Sequence, residues 1–296
     1  MKSATNTLGV NAPARTKRAG YGMRVLRRYL GQPASVAATL ALLVIILAAL
    51  GANWMAPQDP YATSIALRMA DIGTPQRLLG GDELGRDILS RVIYGGRVSL
   101  IMAFMPVMIG LLAGGGLGII AGYAGGRTNT AIMRSMDVFY AFPSILLAVA
   151  ISGALGPGLT NAILSLSLIF IPPITRIAES VTTQVGGHEF VTAARLSGAS
   201  TWRILRQHVF SNVFGPIVVF ASSQISVSII TASGLSFLGL GVSPPTADWG
   251  LMLSSLRQSI YVNPIVAAIP GVMIFICSIC FNVISDGVRK AMEIRR

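Results

Sequence analysis

A chain of 296 residues that is 53% hydrophobic, only 11% charged and has a mean hydropathy of +0.67 is too apolar for a soluble domain of its size. Its formal net charge of +12 would suit nucleic acid only if the cations shared one soluble face, and here they punctuate apolar runs instead. Composition therefore indicates an all-α, polytopic membrane protein and excludes a nucleic-acid-binding domain.

Six runs reach the ~20 apolar residues that a bilayer requires. Ahead of the first, residues 1–20 are polar enough to predict disorder. The stretch YGMRVLRRYLGQ then puts Met23, Leu26 and Leu30 on one helical face, with Arg24, Arg27 and Arg28 largely off it. This predicts an interfacial helix closing an N-terminal tail of residues 1–34. The first span, 35–54, has too long an apolar core and too long a leader for a cleaved signal peptide, and five spans follow it; an uncleaved anchor is expected. Residues 55–97 form a loop in which Asp59, Asp71, Asp82, Glu83 and Asp87 balance Arg68, Arg77, Arg86, Arg91 and Arg97.

The second span, 98–123, carries Gly110, Gly114, Gly118 and Gly122 at four-residue intervals, a bare face on which another helix can pack closely. The third and fourth spans, 138–155 and 159–177, are separated only by Gly156-Pro157-Gly158, which predicts an antiparallel hairpin. The fifth, 213–233, is rich in uncharged polar groups: Ser222, Ser226 and Ser233 share one face, and Gln224, Ser228 and Thr231 the opposite one. Two opposed polar stripes suggest that one of them lines a polar path, and either face can be the one. The last span, 265–284, contains Cys277 and Cys280 as CSIC, read as two small buried side chains because no other ligand type is near. Residues 98–288 thus form a core of five spans, followed by a tail at 289–296.

Seventeen of the 23 Lys and Arg fall in the tails and the loops that share their side. The positive-inside rule then puts both termini, and the loop at 186–209, in the cytoplasm. Within that loop, EFVTAARLSGASTWRILRQH (189–208) reads as two short amphipathic helices. Val191 and Ala194 lie on the first, and Trp202, Leu205 and Val209 on one side of the second. Gly198 supplies the left-handed turn between them and Ser200 caps the second. An apolar side held away from lipid predicts a cytoplasmic protein partner, while His188 and His208 read as solvated or capping groups.

Several chemistries are missing from the chain. No phosphate-binding G-x-x-x-x-G-K-[ST] occurs, so the chain does not bind ATP that way. Asp137, Glu179 and Asp286 all sit at span ends, which counts against a proton- or sodium-coupled carrier. No triad or carboxylate pair can be assembled, and the chain reads as a non-enzyme.

The segment TAARLSGAS (192–200) resembles the EAA loop of ABC importer permeases, written E-A-A, three residues, G, nine residues, I-x-L-P. Ala193, Ala194 and Gly198 match; Thr192 replaces the glutamate, and His208, Phe210 and Ser211 stand at the I, L and P positions. FVTAAR (190–195) is closer to the dipeptide, oligopeptide and nickel subfamily. GDELGRDILSRVIYGGRVSL (81–100), MRSMDVFYAFPSILLA (133–148) and LSFLGLGVSPPTADWGLML (235–253) resemble its C-type permease subunit. The resemblance, over roughly residues 20–292, implies a MetI-like, six-helix permease of a type I importer in the bacterial cytoplasmic membrane. The implied partners are a B-type permease, completing a heterodimer, two cytoplasmic ABC ATPases and an extracytoplasmic solute-binding protein. ATP and magnesium would be bound by the ATPases, leaving this chain without a cofactor or metal of its own. Thr192, Ala193, Ala194, Arg195, Gly198, Ala199 and Trp202 are the implied ATPase-coupling residues, and the glycine stripe is expected to matter for assembly of the permease pair. Di- or oligopeptides are the implied solute, with nickel or a metal chelate as the alternative; a stand-alone secondary transporter or an intramembrane enzyme fits less well.

Overall fold

The computed structural model describes residues 21–293, so the disorder expected of residues 1–20, and the cations Arg295 and Arg296, lie outside it. Helix α1 (Tyr21–Leu30) leaves Met23, Leu26 and Leu30 exposed, as its sequence pattern predicts. Tyr29 anchors it, its hydroxyl lying 2.5 Å from the Thr39 hydroxyl at the start of the next helix. That helix, α2 (Pro33–Leu50), begins on a proline, which needs no N–H partner in a first turn. It breaks at Gly51 before the single turn α3 (Ala52–Met55).

Helix α4 (Ile88–Ala124) starts ten residues before the expected span, because the Asp87 carboxylate accepts the Ser90 N–H at 2.8 Å and fixes the first turn there. The expected third span is not one helix. It is α5 (Gly126–Tyr140) and α6 (Ser144–Leu155), bent by 85° across residues 141–143. Pro143 has no N–H and disfavours helical geometry at Phe142, which ends α5. The 12 residues of α6 reach only about 18 Å, short of the ~30 Å hydrocarbon core. The described residues therefore hold five helices long and apolar enough to cross a membrane, and a sixth if the bent pair counts as one.

After the Gly156–Gly158 turn, α7 (Leu159–Gly186) returns against α6 and extends nine residues past the predicted span. Two short helices, α8 (Glu189–Leu196) and α9 (Thr201–Arg203), follow. A π-helical segment, Ile204–Val209, then joins α9 to α10 (Phe210–Phe237). A short helix α11 (Trp249–Ser255) and the long α12 (Pro264–Met292) complete the chain.

The bundle is built around the α4–α7 contact, and the glycine stripe explains it. A Cβ added at Gly114 would lie 2.6 Å from the Ile171 carbonyl oxygen, one at Gly122 2.6 Å from that of Glu179, and one at Gly110 3.1 Å from Phe170 Cβ. At Gly118 it would run into the Thr175 carbonyl. The helix received by the stripe is thus α7 of the same chain, so the stripe holds this subunit together rather than two permeases. Cys277 and Cys280 are buried among α12's packing residues, and no group of three or more His, Cys, Asp or Glu placed to hold a metal occurs among the described residues.

Residues 56–87 form an irregular cap at one end of the bundle, tied by buried charge. Asp82 pairs with Arg86 at 2.6 Å and lies 3.6 Å from Arg91, while accepting the Leu84 and Arg86 N–H groups at 2.9 Å. Arg91 donates to the Pro60 carbonyl at 3.1 Å and the Pro245 carbonyl at 3.4 Å; Arg77 donates twice to the Gly85 carbonyl. Asp248 caps α11 and accepts the Ser99 hydroxyl at 2.6 Å, and the Trp249 indole donates to the Val92 carbonyl at 2.9 Å. The segments 81–100 and 235–253, far apart in sequence, close on each other here.

Candidate functional site

At the opposite end, the loop between α7 and α10 is organised as predicted at its centre. Gly198 has φ +76°, and Ser197, Gly198 and Ala199 return their N–H groups to the carbonyls of Ala193, Arg195 and Ala194 at 2.9–3.1 Å, closing α8. Ser200 caps α9, its hydroxyl accepting the Arg203 N–H at 3.4 Å. A side chain added at Gly198 would touch nothing, so only the backbone conformation asks for glycine there.

The second half of the loop differs from expectation. It is not a separate helix: 201–237 run as one continuous rod through the π segment into α10. The extra residue per turn of the π segment rotates the following residues, so Trp202 and Val209 do not share a side. Val191, Ile204 and Val209 are buried, with Ala194, Ala199 and Leu205 packed behind them. Leu196, 85% exposed, and Trp202, 71% exposed, point outward beside Thr192, Ala193 and the cations Arg203 and Arg206. Arg195 turns back: its guanidinium lies 5.2 Å from the Tyr123 ring centroid, a cation–π contact joining α8 to the end of α4. His188 stacks on Phe190 at 5.6 Å, and Phe190 lies 6.2 Å from His208. The loop is therefore a wedge with a packed inner side, an outer side on which Leu196 and Trp202 stand among polar residues, and covalent continuity with a long helix.

The polar stripes of α10 are used unequally. Ser222 pairs with Ser285 of α12 at 2.9 Å, the Ser226 carbonyl accepts the Ser278 hydroxyl at 3.3 Å, and Ser233 abuts Gly250. That face is occupied by helix packing. On the other face, Ser228 is drawn to α4, donating to the Met102 carbonyl at 3.2 Å. Gln224 and Thr231 instead border a cavity of about 220 Å³ with Phe139, Phe142, Pro172 and Pro173. A wider open cavity, about 1160 Å³, enters from the loop end and reaches Phe220 and Ser223.

The aromatic edge at 139–142 escaped the sequence reading because its apolar run looks like any span; the pair Phe142-Pro143 was the available signal. Arg176 of α7 fixes the end of α5, donating to Asp137 at 2.7 Å and lying 4.5 Å from the Tyr140 ring centroid. Glu179 accepts from Asn129 at 2.6 Å and Thr183 at 3.2 Å, joining α5 to α7.

Comparison with known proteins agrees with this geometry. The family described as binding-protein-dependent transport system inner membrane component matches residues 114–295. The glutathione transport system permease protein GsiD of Pectobacterium atrosepticum is 39% identical over 267 residues, covering 90% of this chain and 89% of its own. The di/tripeptide transport system permease protein DppC of Pseudomonas aeruginosa is 40% identical over 259 residues, 86% of each chain. Among solved structures, a chain of the MetNI methionine ABC transporter in an inward facing conformation superposes with a TM-score of 0.58 at 18% identity, covering 69% of this chain and 97% of that one, a likeness of fold.

Proposed function

Since the chain belongs to the family of binding-protein-dependent transport system inner membrane components, we propose that it forms half of the translocation pathway of an ATP-driven importer of di- or oligopeptides and couples to cytoplasmic ATPases through the loop around Ala193–Gly198. The observation that carries this reading is the wedge itself: Leu196 stands exposed at the end of α8, and Trp202 stands exposed on a helix that continues without interruption into α10. Apolar side chains held out on a rigid helix are what a partner's cleft buries.

Each ATPase of a pair seats one such wedge, and closure of the pair on ATP moves it. The inner side transmits the motion: Val191, Ile204 and Val209 lock the two halves of the loop together, and Arg195 carries α4 along through Tyr123. A B-type permease supplies the other half of the pathway, and a solute-binding protein delivers the peptide at the cap end. Hydrolysis belongs to the ATPases, as this chain has no phosphate-binding motif. The 17-to-6 distribution of basic residues supports a bacterial cytoplasmic membrane location with both termini and the wedge inside. Relatives named for glutathione and for di- and tripeptides favour peptides over nickel or a metal chelate as solute. On α10, Gln224 and Thr231 are the members of the polar stripes that take a pathway role; Ser222, Ser226, Ser228 and Ser233 are engaged in packing.

Gly198→Asp tests the coupling role. The substitution imposes roughly 1 kcal/mol or more of backbone strain at φ +76° and adds a charge to the wedge. In a reconstituted complex, uptake should be lost and ATPase activity should no longer respond to loaded binding protein, while membrane insertion stays normal. Wild-type uptake with unchanged stimulation would remove the coupling role from this loop.

A further inference from the structure

We propose that helix α1 and the last turn of α12 form a binding surface for anionic phospholipid headgroups, with the apolar side of α1 resting on the acyl chains. The inference rests on the membrane location proposed above and goes beyond the transport role.

Helix α1 has three sides. A step of about 100° per helical residue sets Val25 and Tyr29 on one, Met23, Leu26 and Leu30 on a second, and Arg24, Arg27 and Arg28 on a third. The first side is held by the protein. The Tyr29 hydroxyl donates to the Ser35 carbonyl at 3.2 Å, a Cβ added at Gly287 of α12 would lie 3.0 Å from the Tyr29 ring, and the Arg28 guanidinium reaches the Glu293 carbonyl at 3.5 Å. These contacts fix the rotation of α1 and leave its other two sides uncovered: Met23, Leu26 and Leu30 are exposed, and so are the three arginines.

Depth identifies what meets them. Gln32, just after α1, donates its side-chain amide to the Gly287 carbonyl at 3.3 Å, and the Ser35 hydroxyl donates to the Val283 carbonyl at 3.4 Å. The apolar run of α12 ends at Ile284. The junction of α1 and α2 therefore stands at the level where the chain passes from hydrocarbon to headgroups. A 10-residue helix there, with one apolar and one cationic side, lies in the interface with its apolar side toward the tails. Water alone would leave three apolar side chains uncovered, and a neutral surface would leave three guanidiniums without counter-charge. An anionic bilayer surface satisfies both sides at once.

Charge selects the lipid. Arg24, Arg27 and Arg28 have no carboxylate partner among the described residues, whereas Arg289 of α12 is paired with Asp286 at 3.0 Å. Arg24 borders the open cavity at this end together with Arg289, and Lys290 is exposed in the same turn of α12. The five cations Arg24, Arg27, Arg28, Arg289 and Lys290 stand against the two acids Asp286 and Glu293, an excess of three positive charges. Guanidinium groups pair with phosphate oxygens two at a time, and each cation near an anionic leaflet brings about a fivefold enrichment. A choline headgroup carries its own ammonium and offers no such net attraction.

The test uses the complete transporter in phosphatidylcholine vesicles containing a minor share of brominated lipid, either phosphatidylglycerol or phosphatidylcholine. A fluorophore is attached at Leu26→Cys; Cys277 and Cys280 are buried, and the parent complex is the blank. Quenching by brominated phosphatidylglycerol should be at least threefold stronger than by brominated phosphatidylcholine at equal content. Salt at about 1 M, where the Debye length is about 3 Å, should bring the two together. Arg24→Gln with Arg27→Gln leaves the Tyr29 anchor in place and should retain quenching by phosphatidylcholine while losing at least half of the preference. Equal quenching by the two lipids, a preference unchanged in the double variant, or quenching by neither because protein or water covers α1 would each overturn the proposal. The signal is read without ATP, solute or binding protein, so a failure of the importer reading would leave it unaltered.

Discussion

The two ends of this molecule hold charge and apolar surface in opposite ways. In the cap, Asp82, Arg86, Asp87, Arg91 and Asp248 are buried and bonded to one another, to hydroxyls and to backbone, while Arg77 is buried on the Gly85 carbonyl. In the wedge, Arg203 and Arg206 are exposed, and Leu196 and Trp202 face outward. The difference teaches which of the recognisable segments are architectural. GDELGRD and PTADWG serve the chain's own closure, whereas most of TAARLSGAS stays exposed. Buried charge with every partner in place resists deformation; the loop at the other end leaves its apolar side chains uncovered.

The largest expected effect comes from breaking the cap. Arg91→Ala removes the donor to two carbonyls and leaves Asp82 with one cation fewer in a buried site. Deleting one partner of such a cluster costs about 3–5 kcal/mol. Little folded subunit should survive detergent extraction; normal recovery with normal thermal stability would show that the cap is not the rigid end. Next is Gly118→Leu, which forces a branched side chain into the Thr175 carbonyl and Ala178 of α7 and should cost about 3 kcal/mol. Because α4 and α7 belong to one chain, thermal unfolding of the isolated subunit should show the loss before any partner is added. A defect visible only in pairing with the second permease would move the stripe back to an intersubunit role. The smallest effect on stability is expected in the wedge: Leu196→Ala with Trp202→Ala should change it by no more than about 0.5 kcal/mol. The same double variant should nonetheless lose at least tenfold in uptake and fail to retain the ATPases on purification. Equal retention would erase the functional side of the contrast.

What the sequence by itself determined is local. Five of the six apolar runs, the Gly156–Gly158 turn, the positive φ at Gly198 and the Ser200 cap depend on residues a few positions apart, and each is found where its pattern put it. The Phe142-Pro143 break is also local, but hydropathy alone averages over it, which is why 138–155 reads as one span when it is two pieces at 85°. Only the tertiary structure decided the partners. Nothing in a four-residue glycine repeat says whether it meets its own α7 or another chain, and nothing in a row of serines says that Ser222 will find Ser285 or that Ser228 will find Met102, 126 residues away. The same holds for Arg91, whose two carbonyl partners stand 31 and 154 positions from it, and for Val209, rotated off the side of Trp202 by a π segment that a 3.6-residue period cannot foresee. Helical periodicity fixes which residues share a face; which face meets which is set by long-range closure of the chain, where close approach, buried charge and unpaired backbone compete for the same contacts.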